Sequence, residues 1–338
     1  MSQKTPYLRL LDSLSFLPIR VLRASLKNVP PEKAIRFGAW CGRQIAAFGG
    51  GGSEVARINL RLAFPEKDEV ERNRLLIQIY ENMGRVVTEL ALLQGRQRER
   101  LLQGVDVIGH ENLAAAESAS PTGAVMVITG HFGSWDLCAA ALAEQGHRLT
   151  VVHRGFSNPA IEEMFSRIRR GESGDLEELK MGRRAVTGIL RALRQGRKLV
   201  ILGDQNAKAD EGLFVPFFGH LACTRSAPML IAMRRQIPVL PAFVYREGET
   251  SRHVVHLLPH LSLLNSSLEP DESLEMNVAQ MTQQIEAAVR QAPDHWLWLH
   301  RRWRTRPARE CEPSLEEGFY PPRKKGLWHG VRRAFRGR

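Results

Sequence analysis

Between Val105 and Leu258, short apolar runs alternate with stretches of helical periodicity, and this alternation restricts the chain to few folds. Ala124–Ile128, Leu149–Val152, Lys198–Leu202 and Val239–Val244 read as strands, whereas Leu137–Glu144 and Arg184–Arg194 read as helices. The pattern predicts an α/β fold, a sheet covered by helices on its faces. Loops leaving the carboxyl ends of strands in such a sheet gather at one edge. His131, Arg154 and Asp204 each follow a predicted strand and are therefore expected to converge.

The segment Gly130-His131-Phe132-Gly133-Ser134-Trp135-Asp136 sits at such a strand-to-helix turn. A neutral imidazole can take a proton from an alcohol, and a carboxylate can hold the ring and stabilise the imidazolium that forms. No equally placed nucleophile accompanies the pair: Gly-x-Ser-x-Gly is absent, and Ser134 is inside the motif. Direct transfer to a substrate hydroxyl is the chemistry that remains.

With 338 residues, 43% of them hydrophobic, the chain can bury a substantial core. The net charge of +12 implies an acidic partner, whether nucleic acid, anionic membrane, phosphorylated substrate or carrier protein. Four scattered cysteines without a C-x-x-C pair suggest neither zinc nor a disulfide framework, which fits a reducing compartment. Charged residues interrupt every apolar stretch near the N-terminus, and no run of about 18 uncharged apolar residues occurs. The sequence thus predicts neither a secretory signal nor a membrane span.

Outside the α/β region, Tyr7 to Leu26 has apolar residues at helical spacing with Arg9, Arg20 and Arg23 between them, suiting either a membrane interface or a docked helix. Phe37–Phe48 is a short apolar piece that ends in the four glycines Gly49–Gly52, a predicted loop. Asp68–Leu93 reads as a long amphipathic helix, with Glu89 expected to be solvated rather than to face a site, and Met276–Gln291 as another helix. The tail from Pro321 interleaves Arg and Lys with Leu327, Trp328, Val331 and Phe335, a pattern suited to an anionic surface.

These segments together resemble the bacterial lipid A biosynthesis acyltransferases of the lauroyl/myristoyl type, within the wider lysophospholipid and glycerophosphate acyltransferase group. The similarity runs from about Arg57 to Pro307. It rests on Asn59-Leu60-Arg61-Leu62-Ala63-Phe64-Pro65, on the His-x4-Asp block His131 to Asp136, and on Val152-His153-Arg154. Asp204-Gln205, Phe214-Val215-Pro216-Phe217-Phe218-Gly219, Ile237-Pro238-Val239-Leu240-Pro241 and the closing Asp294-His295-Trp296-Leu297-Trp298-Leu299-His300-Arg301-Arg302-Trp303 follow in the family's order. Many members carry Glu where this chain has Asp136.

The resemblance implies a mixed, largely parallel glycerophosphate-acyltransferase-like sheet spanning residues 57–307, preceded by a membrane-associating helical segment at 1–56 and followed by a basic amphipathic tail at 308–338. It implies an acyl thioester donor on acyl carrier protein, a glycolipid acceptor with a free hydroxyl, no metal or other cofactor, and a monomer at the cytoplasmic face of the inner membrane, peripheral or N-terminally anchored. His131 would be the base and Asp136 the carboxylate that stabilises its charged ring. Backbone N–H groups at Gly133 and Ser134 would steady the oxyanion. Arg154 would hold an acceptor phosphate, or form a surface ion pair. Asp204 would orient Arg154 or the acceptor, or cap its loop. Phe214, Phe217 and Phe218 would wall the acyl channel, or belong to the core. Arg167, Arg169, Arg170, Arg183 and Arg184 would receive an acidic carrier or lipid phosphates, or form a solvated face. Two other readings stay in view. One is an acyl-CoA-dependent enzyme acting on a phospholipid or phosphatidylinositol mannoside. The other is a non-catalytic nucleic-acid-binding protein, which the lack of an RNA-binding aromatic signature or zinc fingers disfavours.

Overall fold

The computed structural model describes residues 25–26, 28–155, 159–170, 175–182, 185–264, 270–307 and 319–320. Nearly all of the Tyr7–Leu26 segment and the tail from Pro321 therefore lie outside the described residues. Among the described residues, four helices precede the sheet: α1 (Pro31–Ala47), α2 (Ser53–Ala63), α3 (Glu69–Leu92) and α4 (Gly95–Leu102). The α/β part follows as β1 (Val105–Ile108), α5 (His110–Ala119), β2 (Val125–Thr129), α6 (Trp135–Glu144), β3 (Leu149–His153), α7 (Pro159–Arg170), β4 (Leu176–Lys180), α8 (Ala185–Arg194) and β5 (Lys198–Leu202). It closes with β6 (Gly212–Phe217), β7 (His220–Arg225), α9 (Ala227–Arg235), β8 (Val239–Arg246), β9 (His253–Leu257), α10 (Pro270–Gln291) and a 3-10 turn at Pro293–His295.

The sheet order is β1-β9-β8-β2-β5-β3-β4. Every neighbouring pair is parallel except β8 with β9, so the sheet is mixed and largely parallel, as the sequence pattern and the resemblance lead one to expect. All five residues of β2 are buried, and they alternate between two cores with the period of a strand. Val125 and Val127 pack on the side of α6, while Met126 and Ile128 pack with Ile189 and Leu193 of α8, Met229 of α9 and Met281 of α10. A third, aromatic cluster holds Phe132, Phe217, Phe218, Phe243, Trp296, Trp298 and Trp303.

Helix α3 starts where Asp68 accepts from the Glu71 N–H and Glu71 reaches back to the Asp68 N–H, a reciprocal capping box. Helix α1 crosses it through glycines. A Cβ on Gly38 or Gly84 would collide with the other helix's backbone, and one on Gly42 would strike the Tyr80 carbonyl. The spacing Gly38-x3-Gly42 thus lets two backbones touch.

Glu89, expected at the surface, is fully buried. The Arg246 guanidinium of β8 donates to both of its oxygens at 2.5 and 2.8 Å, and His253 Nε2 of β9 stands 3.2 Å away. Helical periodicity places Glu89 at the margin of the apolar face, but cannot reveal a cation arriving from 157 residues downstream. Burial would raise the Glu89 pKa; Arg246 and His253 overcome this and hold it down to about 2. Because the folded value lies below the ordinary value of about 4.3, this group's stabilisation is complete above that pH. It is lost as pH falls toward 2. Glu89→Gln leaves Arg246 buried without its counter-charge. It should cost roughly 3–5 kcal/mol in urea unfolding at pH 7 and shrink the loss of stability between about pH 4 and 2.

Candidate active site

His131 follows β2 and Asp204 follows β5, two adjacent parallel strands whose carboxyl ends deliver both side chains to one edge of the sheet. His131 Nδ1 lies 2.9 Å from Asp204 Oδ1. The other oxygen, Oδ2, accepts from the His131 backbone N–H at 2.9 Å and from the Trp296 indole N–H at 2.8 Å. The closing segment is itself laced to the turn: the Gly133 N–H donates to His295 O at 2.8 Å and the Leu297 N–H to His131 O at 3.0 Å. Gly130 completes the fit, since a Cβ there would press on the Asp204 carboxyl group at 3.3 Å.

An ionised carboxylate only accepts, so the proton on the imidazole belongs on Nδ1 and the lone pair on Nε2. Burial would lower the pKa of His131; the charge of Asp204, its hydrogen bond and the more distant Asp136 outweigh this and hold it above the ordinary value. Asp204 is shifted oppositely. Burial would raise its pKa, but His131 and the three hydrogen bonds keep it well below the carboxylate range. The result is an oriented base whose protonated form is already stabilised. Trp135 meets the ring edge-on at 5.2 Å between centroids, and the Gln205 amide nitrogen lies 3.4 Å from Nδ1 and 3.2 Å from Nε2, over the face of the ring.

Asp136 does not touch the imidazole. It lies in the first turn of α6, where its Oδ1 accepts from Arg169 Nε of α7 at 2.8 Å, so the ring-holding role expected of Asp136 falls to Asp204. The Gly133 N–H, expected at an oxyanion, is taken by His295 O. Gly133 has φ +55°, and a Cβ there would strike the Val244 carbonyl, so the residue serves the turn. Ser134, the N-cap of α6, is buried. Arg154 is exposed just beyond β3, at the same edge of the sheet as His131. Phe217 and Phe218 pack edge-to-face at 4.9 Å, against Trp296 and Trp298 respectively. Of the two readings left open for this pair, the structure selects core. Of the basic residues, Arg167 pairs with Glu163 and Arg170 bonds Ser166, while Arg183 and Arg184 lie outside the described residues.

A narrow apolar cleft opens beside the pair, between α6 and the sheet, with Trp135, Asp136 and Arg169 among its lining. Val127, Val151 and Leu142 also line it. Cys138 also lines it, and burial pushes that thiol up to about 12, which leaves it protonated and inert. Among the described residues one group offers metal-ligand types at close range: His153, Glu162 and Glu178. His153 Nε2 stands 3.8 and 3.6 Å from their carboxylate oxygens, but Lys180 already meets Glu162 at 3.0 Å and Arg169 approaches Glu178 at 4.0 Å. The group forms an ion network between α7 and strands β3 and β4.

Several supporting residues carried no assigned role in the sequence. Trp296 was visible only as part of a motif, and Gln205 only as the neighbour of Asp204. His300 accepts from the Asn206 N–H at 2.9 Å, and burial drives its pKa down to about 4, which keeps it neutral for that bond. Arg302, fully buried, donates to Cys223 O at 2.9 Å and Thr224 Oγ1 at 2.5 Å, fastening the closing segment to the β6–β7 hairpin.

The family model described as bacterial lipid A biosynthesis acyltransferase matches residues 1–305. The chain is 25% identical over 301 residues to the lipid A biosynthesis myristoyltransferase of Escherichia coli K12, covering 88% of this chain and 89% of that one. It is 24% identical to the lauroyltransferase of the same organism, with 87% and 92% covered. A lipid A biosynthesis acyltransferase of Haemophilus influenzae is 23% identical, with 87% and 85% covered.

Since only neutral His131 can accept a proton, activity should climb as pH rises through its pKa. Asp204→Asn removes the charge that raises this value, so the climb should move to lower pH. The same change frees the ring from its tautomer and should lower kcat by roughly 10³-fold. A kcat–pH profile of the two proteins, with the His131 ring titrated by NMR, checks both.

Proposed function

The chain belongs to the bacterial lipid A biosynthesis acyltransferases, and we propose that it moves a fatty acyl chain from acyl carrier protein to a hydroxyl of a lipid A precursor, with His131 as general base. The observation that carries this reading is the 2.9 Å contact between His131 Nδ1 and Asp204 Oδ1, joined through the Trp135 ring to an apolar cleft that Trp135 lines. The cleft receives the acyl chain, which leaves the thioester carbonyl near the imidazole. His131 Nε2 takes the proton of the acceptor hydroxyl as its oxygen attacks that carbonyl, and Asp204 stabilises the imidazolium. The tetrahedral intermediate then breaks its C–S bond. The thiolate leaves, and His131 returns the proton to it. Neither a covalent enzyme intermediate nor a metal is required by these steps.

The N–H of Ser134, at the positive end of α6, supplies the oxyanion contact in place of Gly133. Asp136 and Arg169 act together in the lining of the cleft, Arg169 holding the carboxylate that adds to the field at His131. Arg154 takes an acceptor phosphate. The charge of +12 suits an acidic carrier and an anionic bilayer, so the enzyme works at the cytoplasmic face of the inner membrane, peripherally or anchored through its N-terminal segment.

Purified protein should acylate a tetra-acylated lipid A precursor from acyl carrier protein, read as the mass gain of the product, and much more slowly from acyl-CoA. General-base assistance of this kind is worth about 10²–10⁴ in rate, and His131→Ala should lose at least that much while remaining folded. Arg154→Ala should raise the acceptor KM and spare kcat. Equal turnover with acyl-CoA would remove the carrier from the reading, and full transfer by His131→Ala would remove the mechanism.

A further inference from the structure

Helix α1 is apolar on two sides, and among the described residues one of them is packed. Its inner side, with Ile35, Gly38, Ala39, Gly42 and Ala46 buried, accounts for its packing against α3. Its outer side presents Phe37, Trp40, Ile45 and, at the C-cap, Phe48, with 49, 56, 50 and 87% of their surfaces exposed. The spacing i, i+3, i+8, i+11 places all four on one stripe. Phe37 and Trp40 stack at 5.8 Å, so their rings form one continuous apolar surface. Single exposed apolar residues are ordinary, but a line of four large ones along a helix is not.

Charge identifies what covers this stripe. Lys33 heads it and Arg36 and Arg43 run along one edge, all exposed; Arg43 is also paired with Glu81. Arg57 and Arg61 of the adjoining α2 are exposed as well. A protein partner seated on the stripe would need only shape, whereas a row of cations beside aromatic side chains matches lipid phosphates lying just above acyl chains. No helix of the described residues is long and apolar enough to cross a membrane, so α1 would lie in the interface plane. Its clasp to α3 through Gly38, Gly42 and Gly84 would transmit that orientation to the fold.

We infer that the outer stripe of α1, Phe37, Trp40, Ile45 and Phe48, is the surface by which this protein docks onto an anionic bilayer. This deepens the proposed function, resting on its lipid acceptor, and assigns the contact to particular side chains of the folded part.

Vesicle sedimentation tests it with the full chain and phosphatidylcholine vesicles, with and without phosphatidylglycerol. Replacing the four stripe residues by serine should lower partitioning onto the phosphatidylglycerol-containing vesicles at least about tenfold. The fold stays intact because these side chains are exposed, and acyl transfer in detergent micelles should change less than about twofold. Lys33→Gln/Arg36→Gln should weaken binding only where phosphatidylglycerol is present, and added salt should mimic it. Brominated acyl chains should quench wild-type fluorescence more than that of Trp40→Phe, the difference being Trp40 itself. Wild-type partitioning by the serine variant, or equal quenching of the two proteins, overturns the inference. So does a serine variant whose only change is its oligomeric state, which would make the stripe a contact between copies. Loss of transfer in His131→Ala with vesicle binding unchanged separates this inference from the catalytic reading.

Discussion

The carboxylate of Asp204 is the point on which the site depends. It accepts three hydrogen bonds from two distant parts of the chain: the His131 ring and backbone, and the Trp296 indole. Since both oxygens are engaged, the carboxylate cannot rotate without breaking a bond in a buried place, where an unmade bond to a charge is costly. Positioning of His131 is therefore a consequence of tertiary assembly. Strands β2 and β5 must pair in register, and the closing segment must lie against the turn, before the imidazole has a fixed tautomer.

The same principle explains why charges are so often buried here. Glu89 with Arg246 and His253 joins α3 to β8 and β9, and Arg302 joins the closing segment to β6–β7. Ions so placed are weak sources of net stability, because desolvation offsets most of their attraction. Their effect is directional: each has one arrangement in which its counter-charge or acceptor is met, and the alternatives are expensive. Around them the aromatic cluster supplies the non-directional burial. Phe217 and Phe218 serve that cluster, and Phe218 is held at φ +51° in the hairpin turn with its N–H donating to Glu286 at 2.6 Å.

Local pattern explains what the sequence disclosed. Lys198–Leu202 has the predicted bounds, and α3 begins and ends within a residue of the prediction because the Asp68 capping box and the apolar spacing are local signals. Leu137–Glu144 becomes Trp135–Glu144, and the apolar piece Phe37–Phe48 falls in a helix that begins at Pro31, a residue that suits the first helical position. Strands β6 and β7 escaped detection: Pro216 interrupts the first, and a non-glycine residue, Phe218, takes a left-handed turn position. Glu89 was misplaced for a different reason. Its burial is decided by Arg246, and no window along the chain contains both.

The candidate carboxylates show most sharply where one-dimensional spacing stops being informative. Five positions separate His131 from Asp136, and 73 separate it from Asp204, yet Asp204 makes the contact. The short spacing spans the turn and sets Asp136 in the first turn of α6, where an anion is favoured by the helix dipole and where Arg169 can hold it. From there Asp136 still raises the pKa of His131 through space, as the smallest of the contributions that do so. A carboxylate four or five residues on from a histidine at a strand-to-helix turn therefore reads as a source of field. The hydrogen-bonding partner is to be sought at the end of the neighbouring strand, where a parallel sheet brings its loops together.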